Sequence, residues 1–139
     1  MNEAALDALL TLLRTCLRVT RAADAKIGGL HGLSAMEVAV LREVSAAPGK
    51  HIRPIDLARQ LHLSASGITR MLDPLEKRGI VAREVDPNDR RSLRAALTDA
   101  GSRLLDDATV SAAEAADGLM RRLSLGQTRQ MIRLLEEIG

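Results

Sequence analysis

A group of hydroxyl residues and one arginine stands in the stretch SASGITR. Ser64, Ser66 and Thr69 carry hydroxyl groups, and Arg70 carries a guanidinium. These groups hydrogen-bond to phosphate oxygens and to the polar edges of bases. Gly67 adds no side chain, so the backbone there can approach a neighbouring surface closely. At the start of a helix, such a stretch predicts contact with a nucleic acid duplex. The alternative is that Ser64 only caps the helix and that Ser66 and Thr69 are solvated.

A second basic group stands in the stretch DPNDRRS, between the short runs IVAREV and LRAALT. The β-branched and alternating apolar residues of these runs predict two strands with residues 86–92 between them, and the Asp, Pro and Asn of DPN predict the turn. Arg90 and Arg91 would then lie at the tip of a hairpin, where arginine can enter a narrow minor groove of strongly negative potential. Asp89 would be unfavourable beside phosphates unless it pairs with one of these arginines and fixes its rotamer. The alternative is a solvated loop.

Two helices joined by a tight turn would position the hydroxyl group. Pro54 fits the first position of a helix PIDLARQL, and Ser64 fits the cap of a helix ASGITRMLDPLEKRG that Gly79 closes. A helix-turn-helix places the first turns of its second helix in the major groove of DNA. Pro74 removes an N–H from that helix, so we expect a bend after the turns that face the bases. The apolar residues with the spacing of a core face are Ile68, Met71, Leu72 and Leu75.

Further elements precede this unit. Residues 3–25 carry leucines at three- and four-residue spacing, which predicts an amphipathic helix ended by GGLHG. Ser34 and Glu37 have the spacing of a capping box, which predicts a helix that stops at Pro48–Gly49. The next stretch, HIRP, is short and predicts one strand.

Two helices follow the hairpin and complete a pair of helical arms. Thr98 caps a long helix that reaches about Leu123, and Ser124 with Gln127 forms a capping box for a last helix that ends at Ile138. The central unit is too small to cover the apolar stripes of the first helix and the last two helices. We therefore expect a second copy of the chain to bury them. The predicted dimerisation residues are Leu6, Leu9, Leu10, Leu13, Leu17, Met131, Leu134, Leu135 and Ile138.

The composition limits the kind of partner. The 139-residue chain suits one domain, or one domain with helical extensions, and it contains no Phe, Tyr or Trp. Readers of single-stranded nucleic acid stack bases on aromatic rings, so the composition argues against that class. The formal net charge is only +2, but the segment from Lys50 to Arg94 holds ten basic and six acidic residues. Arginine outnumbers lysine 17 to 3, which suits bidentate contacts to phosphate and guanine, although a GC-rich genome produces the same bias.

Other classes of function find no support in the sequence. No apolar run reaches the ~18 residues of a membrane span, and the N-terminus lacks the basic region of a signal peptide, so we expect a cytoplasmic protein with no membrane partner. His31, His51 and His62 have no metal-ligand spacing and are expected to be solvated or to cap helices. No catalytic motif appears, so neither an enzyme activity nor a cofactor is predicted. Cys16 lies near the leucine stripe of the first helix and is expected to pack there.

Three stretches together resemble the multiple antibiotic resistance regulator (MarR) family: GLSAMEVAVL, RPIDLARQLHLSASGITRMLDPLEKRGIV and DPNDRRSLRAALTDAG. Their most specific part is the Asp-Arg-Arg hairpin followed by Leu-Thr-x-x-Gly. The resemblance implies a winged-helix homodimer that binds near-palindromic DNA, usually as a repressor. Arg91 matches the family's arginine that enters the minor groove, which leaves Arg90 to the DNA backbone or to Asp89. For many members, the resemblance also implies a small anionic or phenolic effector between the arms and the DNA-binding lobe. Without aromatic rings, the pocket for such an effector would be aliphatic here.

The sequence therefore predicts a mainly α fold with a small β wing (α+β). We expect an N-terminal dimerisation helix (residues 1–30), a winged helix-turn-helix lobe (residues 31–98) and C-terminal dimerisation helices (residues 99–139). The predicted function is sequence-specific regulation of transcription by a homodimer on double-stranded DNA, as a repressor in a bacterial or archaeal cytoplasm. Two alternatives stay open: a winged-helix adaptor for another protein, and a non-specific architectural DNA binder.

Overall fold

Six α-helices, one 3-10 turn (Pro48–Lys50) and three strands make up the computed structural model, which describes residues 2–139. None of the described helices is long and apolar enough to cross a lipid bilayer. The predicted fold class, mainly α with a small β wing, is confirmed. The helices are α1 (Glu3–His31), α2 (Ala35–Ala46), α3 (Pro54–Gln60), α4 (Ala65–Lys77), α5 (Asp99–Met120) and α6 (Leu125–Ile138), and the strands are β1 (His51–Ile52), β2 (Val81–Asp86) and β3 (Asp89–Leu97).

Helix α1 is longer than the sequence predicts. The predicted end at residue 25 is wrong, because α1 continues through the first two glycines of GGLHG to His31. A glycine inside a helix costs only about 1 kcal/mol relative to alanine, and packing offsets that cost, since Ile27 is only 2% exposed. The helix ends at Gly32, whose φ of 66° is left-handed and whose N–H donates to the Gly28 carbonyl.

The caps and the core of the helix-turn-helix unit follow the sequence prediction. Ser34 Oγ accepts a hydrogen bond from the Glu37 N–H at 3.0 Å, and the Ser34 N–H donates to Glu37 Oε2 at 2.8 Å. Pro54 is the first residue of α3, and Ser64 caps α4. Helix α4 runs on through Pro74 to its end. The core contains the predicted α4 residues Ile68, Leu72 and Leu75, with Met71 half-buried beside them, and also Val40, Leu41, Val44 and Leu57 of α2 and α3.

The three strands form one antiparallel sheet in the order β1-β3-β2. The predicted two-stranded hairpin therefore gains β1 as a third strand on the other edge of β3. The predicted turn at Asp86, Pro87 and Asn88 is confirmed, but the connection over residues 86–92 is shorter than predicted, because pairing continues to Asp86 opposite Asp89 and leaves two residues between the strands. A two-residue loop is the commonest hairpin connection, and it pairs backbone groups that a longer turn leaves to solvent. Arg90 and Arg91 consequently lie in β3.

Helices α5 and α6 begin where the sequence predicts. Thr98 caps α5, which ends at Met120 and not at Leu123. Ser124 and Gln127 form the predicted capping box of α6. Within the described part of the chain, α6 buries none of its residues, although one side of it is apolar.

The predicted dimerisation residues lie on the outside of a single chain. The leucines and the isoleucine among them are exposed by between 43% at Leu10 and 73% at Ile138, and Met131 is half-buried. Cys16, three residues after Leu13, is exposed as well. Within residues 2–139 nothing covers this side of α1, so the packing of Cys16 depends on a second copy of the chain and stays a prediction. We call α1, α5 and α6 the arms, and residues 33–98 the lobe.

The first turn of α5 approaches the segment before β2 so closely that only glycine fits. A Cβ atom on Gly101 would lie 1.9 Å from the carbonyl oxygen of Ile80. Thr98 holds this approach in place: its N–H donates to the Ile80 carbonyl, and its Oγ1 accepts from the Gly101 N–H at 3.0 Å. The contact fixes where the arm leaves the lobe.

We expect Gly101→Ala to lower the free energy of unfolding by about 1–3 kcal/mol, because the added methyl group overpacks against a backbone carbonyl. The matched control is Gly29→Ala in α1, whose added Cβ would meet no atom within 4 Å. That control should be neutral, or stabilising by up to about 1 kcal/mol. Urea unfolding followed by circular dichroism measures both variants, and equal stabilities would contradict the close approach.

Candidate nucleic-acid interface

The start of α4 combines a helix cap with an exposed polar surface. Ser64 Oγ accepts a hydrogen bond from the Gly67 N–H at 3.0 Å and lies 3.3 Å from Ser66 Oγ. A Cβ atom on Gly67 would stand 3.0 Å from the same Ser64 oxygen, so glycine avoids a tight contact at this cap. Ser64 is exposed, and a hydroxyl that accepts one hydrogen bond keeps its own proton to donate. Capping and contact with a ligand are therefore compatible at Ser64.

The outer side of α4 carries the remaining predicted residues. Ser66, Thr69 and Arg70 are all exposed, while Ile68 and Leu72 are fully buried on the opposite side. The buried side fixes the rotation of α4 about its axis, so the three polar side chains point away from the core. The first N–H groups of a helix lack intrahelical partners and carry partial positive charge. This end of α4 thus gathers hydroxyl, guanidinium and N–H donors, a set that suits phosphates and base edges.

The wing, which comprises β2, β3 and their turn, carries Arg90 and Arg91 near its tip, both exposed. The predicted pairing of Asp89 with one of these guanidinium groups is wrong. Asp89 Oδ1 accepts from the Arg91 backbone N–H at 3.0 Å, and Oδ2 accepts from the Ser92 hydroxyl at 2.9 Å. These two hydrogen bonds hold the pKa of Asp89 below its usual range. A short aspartate side chain bonds readily to the backbone two residues on, so Asp89 shapes the turn and leaves the arginine side chains unpaired.

An ion pair joins the wing to α4. The Arg83 side chain of β2 is 21% exposed, and its Nη2 lies 2.6 Å from Asp73 Oδ1. Its Nε lies 3.6 Å from Glu76 Oε2. Salt screens a partly buried pair less than a pair on the open surface. Arg83 therefore holds the wing at a set position beside α4.

Three charged residues beside the wing escape prediction from the sequence. Arg53 Nε donates to Asp56 Oδ2 at 2.8 Å, and Arg59 Nη1 lies 3.4 Å from Asp56 Oδ1. The hydrogen bond to Asp56, and more weakly the wing carboxylates Asp86 and Asp89, raise the pKa of Arg53. Arg53, Asp56 and Arg59 are spaced three residues apart, and many solvated ion pairs on helices share this spacing, so it does not single out a functional group. The two arginines add exposed positive charge next to the wing.

Two of the three histidines have partners inside the protein. His31 Nε2 lies 2.8 Å from Ser111 Oγ and joins α1 to α5, and His51 Nε2 lies 3.1 Å from Arg94 Nη1 and joins β1 to β3. The expectation that they are solvated or cap helices is wrong for this pair, because long-range partners leave no local sequence pattern. His62 is exposed, as expected. No cluster of three metal-ligating side chains occurs among residues 2–139.

A small apolar cavity lies between the arms and the lobe, where α1, α2 and α5 meet. Its volume is about 270 Å³, just below the usual range of pockets for small molecules. Arg42 of α2 is the charged residue in its wall. The other lining residues are aliphatic and include Val19, Ile27, Val38, Ala39, Ala112 and Met120.

Comparisons of sequence place the chain among known regulators. A model of the MarR family matches residues 31–92. An HTH-type transcriptional repressor of Mycobacterium tuberculosis is 36% identical over 110 residues, which cover 78% of this chain and 76% of the relative. An uncharacterized HTH-type transcriptional regulator of Bacillus subtilis is 33% identical over 109 residues, which cover 78% of this chain and 70% of that one.

Solved structures share the fold over nearly the whole chain. A MarR family transcriptional regulator from Rhodococcus sp. RHA1 superposes with a TM-score of 0.85 at 28% identity, over 96% of this chain and 93% of that chain. A MarR family regulator from Streptomyces coelicolor, solved in complex with DNA, superposes with a TM-score of 0.89 over 99% of this chain and 87% of that chain. At 20% identity, this second likeness concerns the fold alone. The family model, the sequence relatives and the shared fold all point to the same family. The chain belongs to the MarR family of transcriptional regulators.

Proposed function

We propose that the protein is a homodimeric repressor that binds a near-palindromic DNA operator. The observation that carries this proposal is that α4 and the wing both present exposed guanidinium groups, Arg70, Arg90 and Arg91, that form no ion pair within residues 2–139. Helix α4, called the reading helix from here on, enters the major groove, and the wing lies along the adjacent minor groove.

Each predicted residue has a role in this mode of binding. Ser66 and Thr69 contact base edges or phosphates, and Arg70 suits guanine or a phosphate. Ser64 and Gly67 close the cap and allow the backbone to approach the duplex, where the first N–H groups of the reading helix favour a phosphate. On the wing, Arg91 enters the minor groove and Arg90 contacts the backbone, while Asp89 holds the turn in shape.

A second copy of the chain covers the arms in this proposal. Fully burying one leucine side chain stabilises by about 1.5–3 kcal/mol. The exposed leucines and isoleucine of the arms, repeated in both copies, are numerous enough to offset the cost of association, which is about 4–15 kcal/mol. A two-fold axis through the arms then presents two reading helices to successive major grooves, about 34 Å apart. The matching DNA is an inverted repeat.

The cavity between the arms and the lobe supports control by a small effector. An aliphatic wall with Arg42 at its edge favours an amphiphilic anion, such as a short-chain or medium-chain carboxylate, over an aromatic ligand. A ligand there contacts both arm and lobe, so it can favour a lobe position that no longer fits the operator.

Two other functions fit the fold and make different predictions. A winged-helix adaptor keeps its fold and its dimer but lacks the steep salt dependence of DNA binding. An architectural DNA binder shows that salt dependence without preferring any sequence. The unpaired arginines of the wing and the reading helix favour DNA over a protein partner, and the polar side chains on the reading helix favour specific over architectural binding.

The dimer can be tested with a single charge on the leucine stripe. We expect Leu13→Asp to raise the dimer dissociation constant roughly 100-fold or more, because it buries an unpaired carboxylate in an apolar interface. The matched control is Leu30→Asp on the same helix, at an exposed leucine outside the predicted interface. Analytical ultracentrifugation measures both variants. A wild-type protein that is monomeric at micromolar concentration would contradict the dimer, and equal effects of the two variants would misplace the interface.

The wing can be tested with neighbouring arginines. We expect Arg91→Ala to weaken operator binding by about 1–3 kcal/mol, most strongly on operators with A·T-rich flanks, because a narrow minor groove attracts that guanidinium. Arg90→Ala should weaken binding evenly on all flanks and reduce the salt slope by about 1. Fluorescence anisotropy at several salt concentrations measures both, and an Arg91→Ala variant that binds like the wild type would refute the role of the wing.

The cavity can be tested with a matched pair of carboxylates. We expect octanoate to raise the melting temperature and to weaken operator binding, and benzoate to do neither, because the cavity offers no ring for stacking. Ala39→Leu fills part of the cavity and should abolish the response to octanoate while operator binding without ligand persists. A response to octanoate that survives Ala39→Leu would place the effector elsewhere.

A further inference from the structure

Arg78 ties the end of the reading helix to the end of α1. It directly follows α4, its Nη1 donates to the Gly32 carbonyl at 2.8 Å, and its Nη2 donates to the His31 carbonyl at 3.3 Å. The last carbonyls of a helix lack intrahelical partners and carry partial negative charge. The guanidinium therefore supplies hydrogen bonds that the end of α1 needs. No other side-chain hydrogen bond joins α1 to α4 within residues 2–139.

The local backbone is suited to this contact. Gly32 has a left-handed φ of 66°, and a Cβ atom there would lie 3.3 Å from Arg78 Nη2. Glycine therefore ends the helix and also admits the guanidinium. The planar fork of arginine reaches two carbonyls at once from one side-chain position, whereas the ammonium of lysine acts as a single point of contact.

The end of α1 is also held by the elements on either side. His31 Nε2 lies 2.8 Å from Ser111 Oγ of α5. Asp24 Oδ1 accepts a hydrogen bond from the Ala35 N–H at the start of α2, at 2.7 Å. The arm end is thus a fixed point, and the two hydrogen bonds of Arg78 tie the end of the reading helix to it.

We propose that Arg78 is a positioning residue that makes the dimer selective for the spacing between operator half-sites. This inference rests on the proposed function, in which the arms form the dimer and the reading helix binds DNA. The arms set the separation of the two lobes, and Arg78 sets the angle of each reading helix against its arm. Without Arg78, the end of each reading helix loses its tie to α1, so its angle against the arm can vary about the contact at Gly101 while its base contacts stay intact, and operators with altered spacing bind more nearly alike.

The test uses an operator selected by the wild-type protein from random duplexes, and two derivatives with one base pair inserted or deleted at the centre. Each change moves the half-sites by about 3.4 Å and rotates one against the other by about 35°. Affinities come from fluorescence anisotropy with the full-length wild type, Arg78→Ala and Arg78→Lys. The control is Lys77→Ala, which removes a neighbouring exposed cation whose side chain makes no hydrogen bond or ion pair within residues 2–139.

The wild type and Lys77→Ala should each lose roughly tenfold or more on the altered operators, about the penalty of one mismatched base pair. Arg78→Ala should bind all three operators within about threefold of one another, and Arg78→Lys should fall between. The proposal would be overturned if Arg78→Ala weakened binding to all three operators equally, or if it left all three affinities unchanged. If Arg78→Ala fails to fold by circular dichroism, unaltered discrimination by Arg78→Lys would overturn it instead. If the proposed function itself were wrong, the wild type would select no operator from the random duplexes, so the two failures can be told apart.

Discussion

The arms of this protein cannot bury their apolar surfaces within one chain, and the rest of the molecule depends on that constraint. Leu17 is 72% exposed on α1, Ile138 is 73% exposed on α6, and α6 buries no residue within the described chain. Apolar surface on this scale marks an interaction site in a folded protein. In the proposed dimer a second copy meets the constraint, and the two-fold symmetry of the arms would extend to the lobes and so to the DNA.

The lobe, in contrast, is complete within one chain. Leu41, Leu57 and Leu72 are fully buried, and ion pairs and caps fix the elements around them. Short polar side chains accept hydrogen bonds from the backbone: Asp86 accepts from the Asn88 N–H, and Asp89 accepts from the Arg91 N–H. Arginine side chains at the tip of the wing stay unpaired within the described chain. The short polar side chains keep the backbone rigid, and the arginine side chains remain free to donate hydrogen bonds. A rigid backbone lowers the entropic cost of binding DNA in the proposed complex.

Features with a local cause could be predicted from the sequence. The caps at Ser34, Ser64 and Thr98 and the core side of α4 follow from the spacing of a few residues, and the structure bears them out. Features set by distant partners could not be predicted. Helix α1 passes its two glycines because packing outweighs helix propensity, and β1 joins the wing by pairing Ile52 with Ala95, 43 residues further along the chain. The predicted ion pair of Asp89 with an arginine failed because the nearer backbone N–H competes for the carboxylate. The roles of the polar residues in binding DNA remain predictions.

The central claim is that the dimer formed by the arms dictates the symmetry of the DNA. Selection of bound duplexes from a random pool at ~150 mM salt, near physiological ionic strength, tests it most directly. We expect an enriched inverted repeat whose half-site centres lie about one helical turn apart. Recovery of a single unrepeated half-site, or of DNA with no shared motif, would contradict it.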